Sequence, residues 1–477
     1  MIKLHPLEIL PIVIYLIFLL YIGFRHKTQT GSEDDFILGG RQLTLPAFIA
    51  TLVTTWYGGI LGVGEFTYRY GLSNWFVFGF PYYIFAILFA IFLASKVRKA
   101  QLLSIPDQLF KHYGKRSGFI GTVFTFFMTL PAAYVLMVGL MMQLITGWSL
   151  WICIIIGTLF SMIYVLSGGF HSVVRTDKLQ FALMFGGFIL LFIELVEKYG
   201  GLPFLRAHLP PLHLTLSGGN SAQYIIVWFF IAIWTLVDPG FHQRCYAART
   251  PNTARRGILI SVFFWMLFDF LTTSTGLYAR ALLSNIDAPL SYPLLSNRIL
   301  PPVLSGLFLT GLLATIMSTL DSMFLLSAIT IGHDFFARLR KEAKFKVRFT
   351  QAGLLVSAFV SIIMALLFPS VIQLWYIIGT LFIPPMLVPV LGSYYSIFRL
   401  PKKLALLNLI LPFGISLFFL LESLSISPSI SNLNYWLGVQ PMYPGLTVSG
   451  IILVFHWLRE KNAVLLLKRE ESSRRQL

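Results

Sequence analysis

Apolar residues in this chain gather into runs long enough to cross a bilayer, with the polar residues confined between them. Thirteen runs can be marked, at about 6–24, 45–70, 74–95, 117–147, 149–167, 177–197, 221–240, 257–280, 303–330, 349–368, 371–396, 404–422 and 442–458. Runs of this length predict transmembrane helices, joined here by loops too short to be domains. Most are built from Leu, Ile, Val and Phe, but three are irregular. The second run reads Thr54-Thr-Trp-Tyr-Gly-Gly-Ile-Leu-Gly-Val-Gly-Glu65, with four glycines and a carboxylate where a lipid-facing helix carries Leu. Each glycine weakens a helix by roughly 1 kcal/mol relative to Ala. A break frees backbone carbonyls, which membranes tolerate only beside a cavity or inside protein. The plainer reading is close helix packing through the Gly58-to-Gly62 spacing.

The seventh run ends in Trp234-Thr-Leu-Val-Asp-Pro-Gly-Phe-His-Gln-Arg-Cys-Tyr-Ala-Ala-Arg249, where Pro239 and Gly240 interrupt the pattern. The two interruptions lie five spans apart, in elements of opposite direction, as an inverted five-plus-five repeat produces. The ninth run holds Thr315-Ile-Met-Ser-Thr-Leu-Asp-Ser322. Thr315, Ser318, Thr319 and Ser322 fall at i, i+3, i+4 and i+7, one face of a helix, with Asp321 on its flank. Ser and Thr often serve close packing in membranes. A carboxylate at that depth costs about 2.5–3.5 kcal/mol on insertion scales and must face protein or a water-filled cavity. So many oxygens, with no thiol or imidazole among them, suit a hard cation.

Other polar residues carry weaker signals. In Ser167-Gly-Gly-Phe-His-Ser-Val-Val-Arg-Thr-Asp177 the glycines end one helix and Thr176 or Asp177 starts another. Asp177 reads either as an N-cap or as a carboxylate turned inward, to a cation or to a gating arginine such as Arg175. His171 reads as a loop residue, because no second His or Cys stands at metal-site spacing. Asp269 pairs with a buried hydroxyl or serves as a proton or ion group. Trp375 and Tyr376, at the start of the eleventh run, read as interfacial aromatics. Ser104-Ile-Pro-Asp-Gln-Leu reads as a turn into a short helix.

Composition agrees with a polytopic membrane protein. Hydrophobic residues make up 57% of 477 and charged residues 12%, so no soluble catalytic domain fits. The net charge of +17 raises the question of nucleic acid, and its placement answers it. With the N-terminus outside, thirty of the 36 Lys and Arg fall on the cytoplasmic side. That is the positive-inside bias, which orients the chain and implies no nucleic-acid partner. Cys153 and Cys245 map to opposite sides, which argues against a disulfide between them. No Asn-x-Ser/Thr acceptor occurs, which favours a bacterial inner (plasma) membrane. The first run has a basic cluster after it and no small-residue cleavage site, so it reads as an anchor rather than a signal peptide. The tail after Leu458 faces the cytoplasm.

Taken together, four stretches resemble the sodium/solute symporter family. They are Phe36-Ile-Leu-Gly-Gly-Arg41, the Gly168-Gly…Thr-Asp177-x-x-Gln180 motif, His242-Gln-Arg…Gly257, and Gly311–Ser322. The resemblance implies an all-α LeuT-type fold, a 5+5 inverted-repeat core with one extra N-terminal and two extra C-terminal helices. The corresponding divisions are 1–44 for the first helix and loop, 45–200 and 201–396 for the two repeats, and 397–477 for the C-terminal helices and tail. It also implies a Na⁺ site made by carbonyls near Leu52 and Thr55, the Thr315 carbonyl, and the Ser318 and Thr319 hydroxyls. A second ion site, present in some members, would use Asp177, Asp321 and Ser322; Asp321 stands where some members have Ser. Trp56, Gly58, Gly59, Trp234 and Tyr134 are the expected solute-facing positions. Thr55-Trp-x-Gly-Gly59 looks somewhat like the choline-transporter branch, without a full aromatic cage.

The expectation is Na⁺-coupled symport of a small organic solute by alternating access, with Na⁺ as coupling ion and no organic cofactor. Membrane lipid and the solute are the expected partners, the chain acting as a monomer or weak homo-oligomer. An H⁺-coupled symporter of the same fold, or a transporter-like solute sensor without net transport, are the rivals. An enzyme is not expected, since no nucleophile–base pair or metal-ligand cluster stands out.

Overall fold

The computed structural model describes residues 4–24, 33–339, 347–368, 370–428 and 433–474. Every named element among them is helical; the single departure is an isolated parallel bridge between Leu43 and Ala248. Among the described residues, eleven helices are long and apolar enough to cross a membrane. Two of the thirteen expected runs are not among those eleven. Leu150–Ile163 is apolar but short, and 442–458 lies within the helix Met442–Arg474.

Two of the expected interruptions are real breaks. The second span is helical over Leu45–Trp56, tightens to a 3₁₀ turn at Tyr57–Gly59, and resumes over Ile60–Tyr70. The seventh runs as Ala222–Ala232 and Trp234–Val237, becomes extended at Asp238 (φ −70°, ψ 120°), and restarts as Pro239–Ala247. The restart follows from local chemistry. The Asp238 carboxylate accepts from the Phe241 N–H at 2.7 Å, and Pro239 occupies a first-turn position where no N–H is missed. The helix therefore continues to Ala247, and Arg244 belongs to the span rather than to a cytoplasmic loop.

The start of the first broken helix lies beside the end of the second. The Leu43 N–H donates to the Ala247 carbonyl at 3.0 Å and the Arg249 N–H to the Leu43 carbonyl at 3.0 Å. Trp56, at the far end of the first half-helix, lies beside Phe241, near the start of the second, so the two elements run in opposite directions, as their sequences imply.

Asp177 is not a helix start. Leu150–Tyr199 is one long helix kinked at Gly169 (φ 53°, ψ −149°), a backbone conformation that glycine tolerates. Helix resumes at once, leaving Asp177 two turns inside it and fully buried. His171 sits on the same stretch, within 3.0 Å of Asp35, rather than in a loop. The hydroxyl-bearing run is an unbroken helix, Pro302–Ile329, continued as a π-helix over Thr330–Ala337.

The chain divides into two compact units, residues 1–104 with 125–376, and residues 105–124 with 377–477. The first contains both broken helices and the hydroxyl-bearing helix. In the second, the short helix Ile105–Tyr113 follows the turn at Ser104, and Asn408 and Ser449 tie its two long helices together. Both cysteines are free and buried.

Candidate ion and solute site

The hydroxyl face of Pro302–Ile329 is buried throughout and turned towards protein. Thr319 donates its hydroxyl to the Thr55 carbonyl at 2.7 Å, with the Thr54 carbonyl at 3.4 Å, at the last turn before the first break. Gly58 makes this approach possible: a Cβ there would coincide with the Thr319 side chain. Leu52 is buried in the same turn. Ser318, on the neighbouring face, donates to Asp177 at 2.6 Å. Thr315 lies one turn away, its hydroxyl donating to the Gly311 carbonyl at 2.7 Å. Thr55, Ser318, Thr319, Ser322 and Asp177 are therefore brought together, with oxygens from three helices.

Arg244 is the residue that the sequence reading did not place. It is fully buried, and its Nη2 donates to Thr55 at 2.8 Å, Ser322 at 2.8 Å and Thr51 at 3.2 Å. Thr51 in turn donates to Asp177. The guanidinium also lies over the Phe170 ring, 5.8 Å from its centroid. A buried cation needs partners of this kind, because desolvation otherwise costs several kcal/mol. Arg175, the gating arginine considered from sequence, is exposed; the buried arginine that reaches Asp177, through Thr51, is Arg244. Asp321 is buried and stands within electrostatic reach of Tyr15, on the first helix, Pro6–Phe24, where Tyr15 accepts from Gln180 at 2.9 Å.

The two breaks meet through aromatic rings. Trp56 lies 5.4 Å from Phe241, 5.3 Å from Trp265 and 5.1 Å from Tyr82, centroid to centroid. Trp234 donates its indole N–H to Asp238 at 2.9 Å. Tyr134 is close to Tyr82 and Asp238, which places it by the second break. Trp375 is not an interfacial residue: its ring fills the space a side chain on Gly59 would need, and it packs near Phe78 at 6.0 Å. Gly58 and Gly59 are thus covered by Thr319 and Trp375. Trp56, Tyr82, Tyr134, Trp234 and Trp375 each remain partly exposed, so the aromatic wall borders open space. Phe241, Trp265, Tyr82 and Trp375 carry no local sequence signal, and only the tertiary arrangement assembles them.

Two antiparallel broken helices meeting a hydroxyl-bearing third define a polytopic membrane protein of LeuT type. Residues 36–411 match the family described as "SSF: Sodium:solute symporter family", and the chain belongs to it. Among its relatives, rat "Solute carrier family 5 member 4" is 24% identical over 416 residues, covering 75% of this chain and 61% of the relative. The "Sodium/pantothenate symporter" of Haemophilus influenzae is 25% identical over 422 residues, covering 81% and 85%. The chain thus spans about three fifths of the mammalian relative's length. In fold it is similar to a Na⁺-coupled sialic acid symporter in a substrate-bound outward-open state. The TM-score is 0.76 at 17% identity, covering 94% of this chain and 96% of that one.

Proposed function

We propose that this protein is a Na⁺-coupled symporter of a small organic solute, working by alternating access. The observation that carries the reading is the meeting of the Thr319 hydroxyl with the Thr55 carbonyl at the first break, beside Ser318. Na⁺ would be held by the Thr55 and Leu52 carbonyls, the Thr315 carbonyl and the Ser318 and Thr319 hydroxyls, a hard-oxygen set. These ligands come from two helices, so binding Na⁺ draws the break towards Pro302–Ile329 and sets the position of Trp56. The solute binds against Trp56, Tyr82, Tyr134, Trp234 and Trp375. The repeats at 45–200 and 201–396 then rock about the site.

Printed names support the reading. The Haemophilus relative is a sodium/pantothenate symporter, and the structural neighbour a Na⁺-coupled sialic acid symporter. Arg244 already brings a positive charge to Ser322 and, through Thr51, to Asp177. It stands among the residues of the second ion site, which favours coupling to a single Na⁺. One such ion, entering down 100 mV, supplies roughly 2.3 kcal/mol, about a fiftyfold accumulation of a neutral solute. The excess of Lys and Arg in segments on one side supports a topology with the N-terminus outside and the C-terminal tail in the cytoplasm, and the lack of Asn-x-Ser/Thr acceptors favours a bacterial inner membrane.

The test is a thermal-shift screen of the purified protein over sugars, amino acids, carboxylates and quaternary amines, with Na⁺ or K⁺. Na⁺ alone should raise the melting midpoint, and the transported solute should raise it further only in Na⁺. Ser318→Ala with Thr319→Ala should raise the Na⁺ concentration for half-maximal effect at least tenfold, the loss of about 1.4 kcal/mol of binding. An unchanged Na⁺ response in a well-folded double variant rejects the ion assignment. Uptake of that solute into proteoliposomes separates transport from sensing. Trp56→Ala should raise the solute concentration required there while leaving the Na⁺ shift in place.

A further inference from the structure

Asp269 lies outside the ion site, midway along the membrane-spanning helix Pro251–Leu282, and is 5% exposed. Its carboxylate accepts from the Tyr83 hydroxyl, on the adjoining helix Phe80–Leu88. Room for the pair comes from Gly79: a Cβ there would stand 2.8 Å from Asp269 Oδ2 and 2.9 Å from the Tyr83 hydroxyl. Gly79 ends a π-helical turn, Trp75–Gly79, a local departure that is common at functional sites. Among the described residues, the ionisable groups that face Asp269 are Tyr83 and, within electrostatic reach, Tyr57 and Tyr292. None of them supplies positive charge. Arg280, on the same helix as Asp269, lies over the Tyr68 ring, and Arg98, on the helix Ala94–Ala100, donates to the Ala248 carbonyl.

A carboxylate at this depth beside hydroxyls rather than a cation costs more as an anion than as a neutral acid. The acid is also wired to the first break. Tyr57, the first residue of the 3₁₀ turn, donates to the Trp265 carbonyl at 2.8 Å and packs on Phe268 at 4.6 Å. Trp265, one turn before Asp269, forms the wall against Trp56.

We propose that Asp269, held by Tyr83 and adjoining Tyr57, is a proton-binding site whose occupancy follows the state of the first broken helix. The proton adds to a carboxylate oxygen from water and returns to water when the break rearranges and wets the pocket. No other bond is made or broken. The link to the cycle rests on the proposed Na⁺ site, because Thr55 lies two residues before Tyr57.

Infrared spectroscopy of the full-length protein in lipid nanodiscs tests this with Na⁺ and K⁺ as the only added probes. The wild type should show the carbonyl stretch of a protonated carboxylic acid at neutral pH, shifting in D₂O and missing from Asp269→Asn. Tyr83→Phe removes the hydrogen bond to the carboxyl group, so the band should move in frequency. Exchanging K⁺ for Na⁺ should alter the band in the wild type. Asp269→Asn should keep its Na⁺-dependent thermal shift, which shows that it is folded. Identical spectra for wild type and Asp269→Asn overturn the proton site. A band indifferent to Na⁺, in protein that Na⁺ does stabilise, overturns its link to the break. If Na⁺ stabilises neither protein, the Na⁺ reading fails and the acid is judged on its band alone.

Discussion

Replacing Arg244 by Met should cost about 3–5 kcal/mol, the cost of breaking a buried charge arrangement from one side. The side chain has no exposure, and three hydroxyls on two other helices share its Nη2. Its removal leaves Asp177, also fully buried, with hydroxyl donors alone. The melting midpoint of the purified protein should fall by several degrees, and much of that loss should return in Arg244→Met with Asp177→Asn. Replacing both charges leaves no uncompensated ion, so the cycle should show a coupling of about 0.5–3 kcal/mol. Strict additivity would mean that the two charges do not sense each other through Thr51. Arg244→Lys keeps the charge without the planar fork and should fall between wild type and Met.

The second large effect is expected at Gly58. Gly58→Ala places a Cβ on the Thr319 side chain, in the middle of an unbroken helix that cannot step aside. Overpacking of this kind costs about 1–3 kcal/mol, and here the strain falls on the contact between the Thr319 hydroxyl and the Thr55 carbonyl. The Na⁺ concentration for half-maximal thermal stabilisation should rise tenfold or more, with the aromatic wall intact. A Gly58→Ala protein that answers Na⁺ like the wild type would show that the break is not wedged against Thr319.

What the sequence revealed about the site depended on whether the signal was local. The hydroxyls at 315, 318, 319 and 322 share a face because helical geometry alone decides it, and the structure turns that face to the first break. The glycine-rich and Pro-Gly interruptions were readable for the same reason. Arg244 was not, since a basic residue after Pro-Gly looks like the start of a cytoplasmic loop. Only the Asp238 cap, which restarts the helix, carries it into the membrane. Asp177 was ambiguous between cap and buried ligand because the kink at Gly169 stands eight residues earlier, leaving helix where a start was expected. Trp375 looked interfacial because it begins a span, and its contact with Gly59 joins residues more than three hundred positions apart. Such pairings belong to topology, and no window of sequence contains them.

The pair of backbone bonds at Leu43, to Ala247 and Arg249, has a mechanical consequence. It staples the outer tips of Leu45–Trp56 and Pro239–Ala247, the halves of the two broken helices that lie on the same side of the discontinuities. Stapled tips cannot swing separately, so these two rods pivot as a single leaf on the hinges at Tyr57–Gly59 and Asp238. Any opening on that side must lift both rods at once.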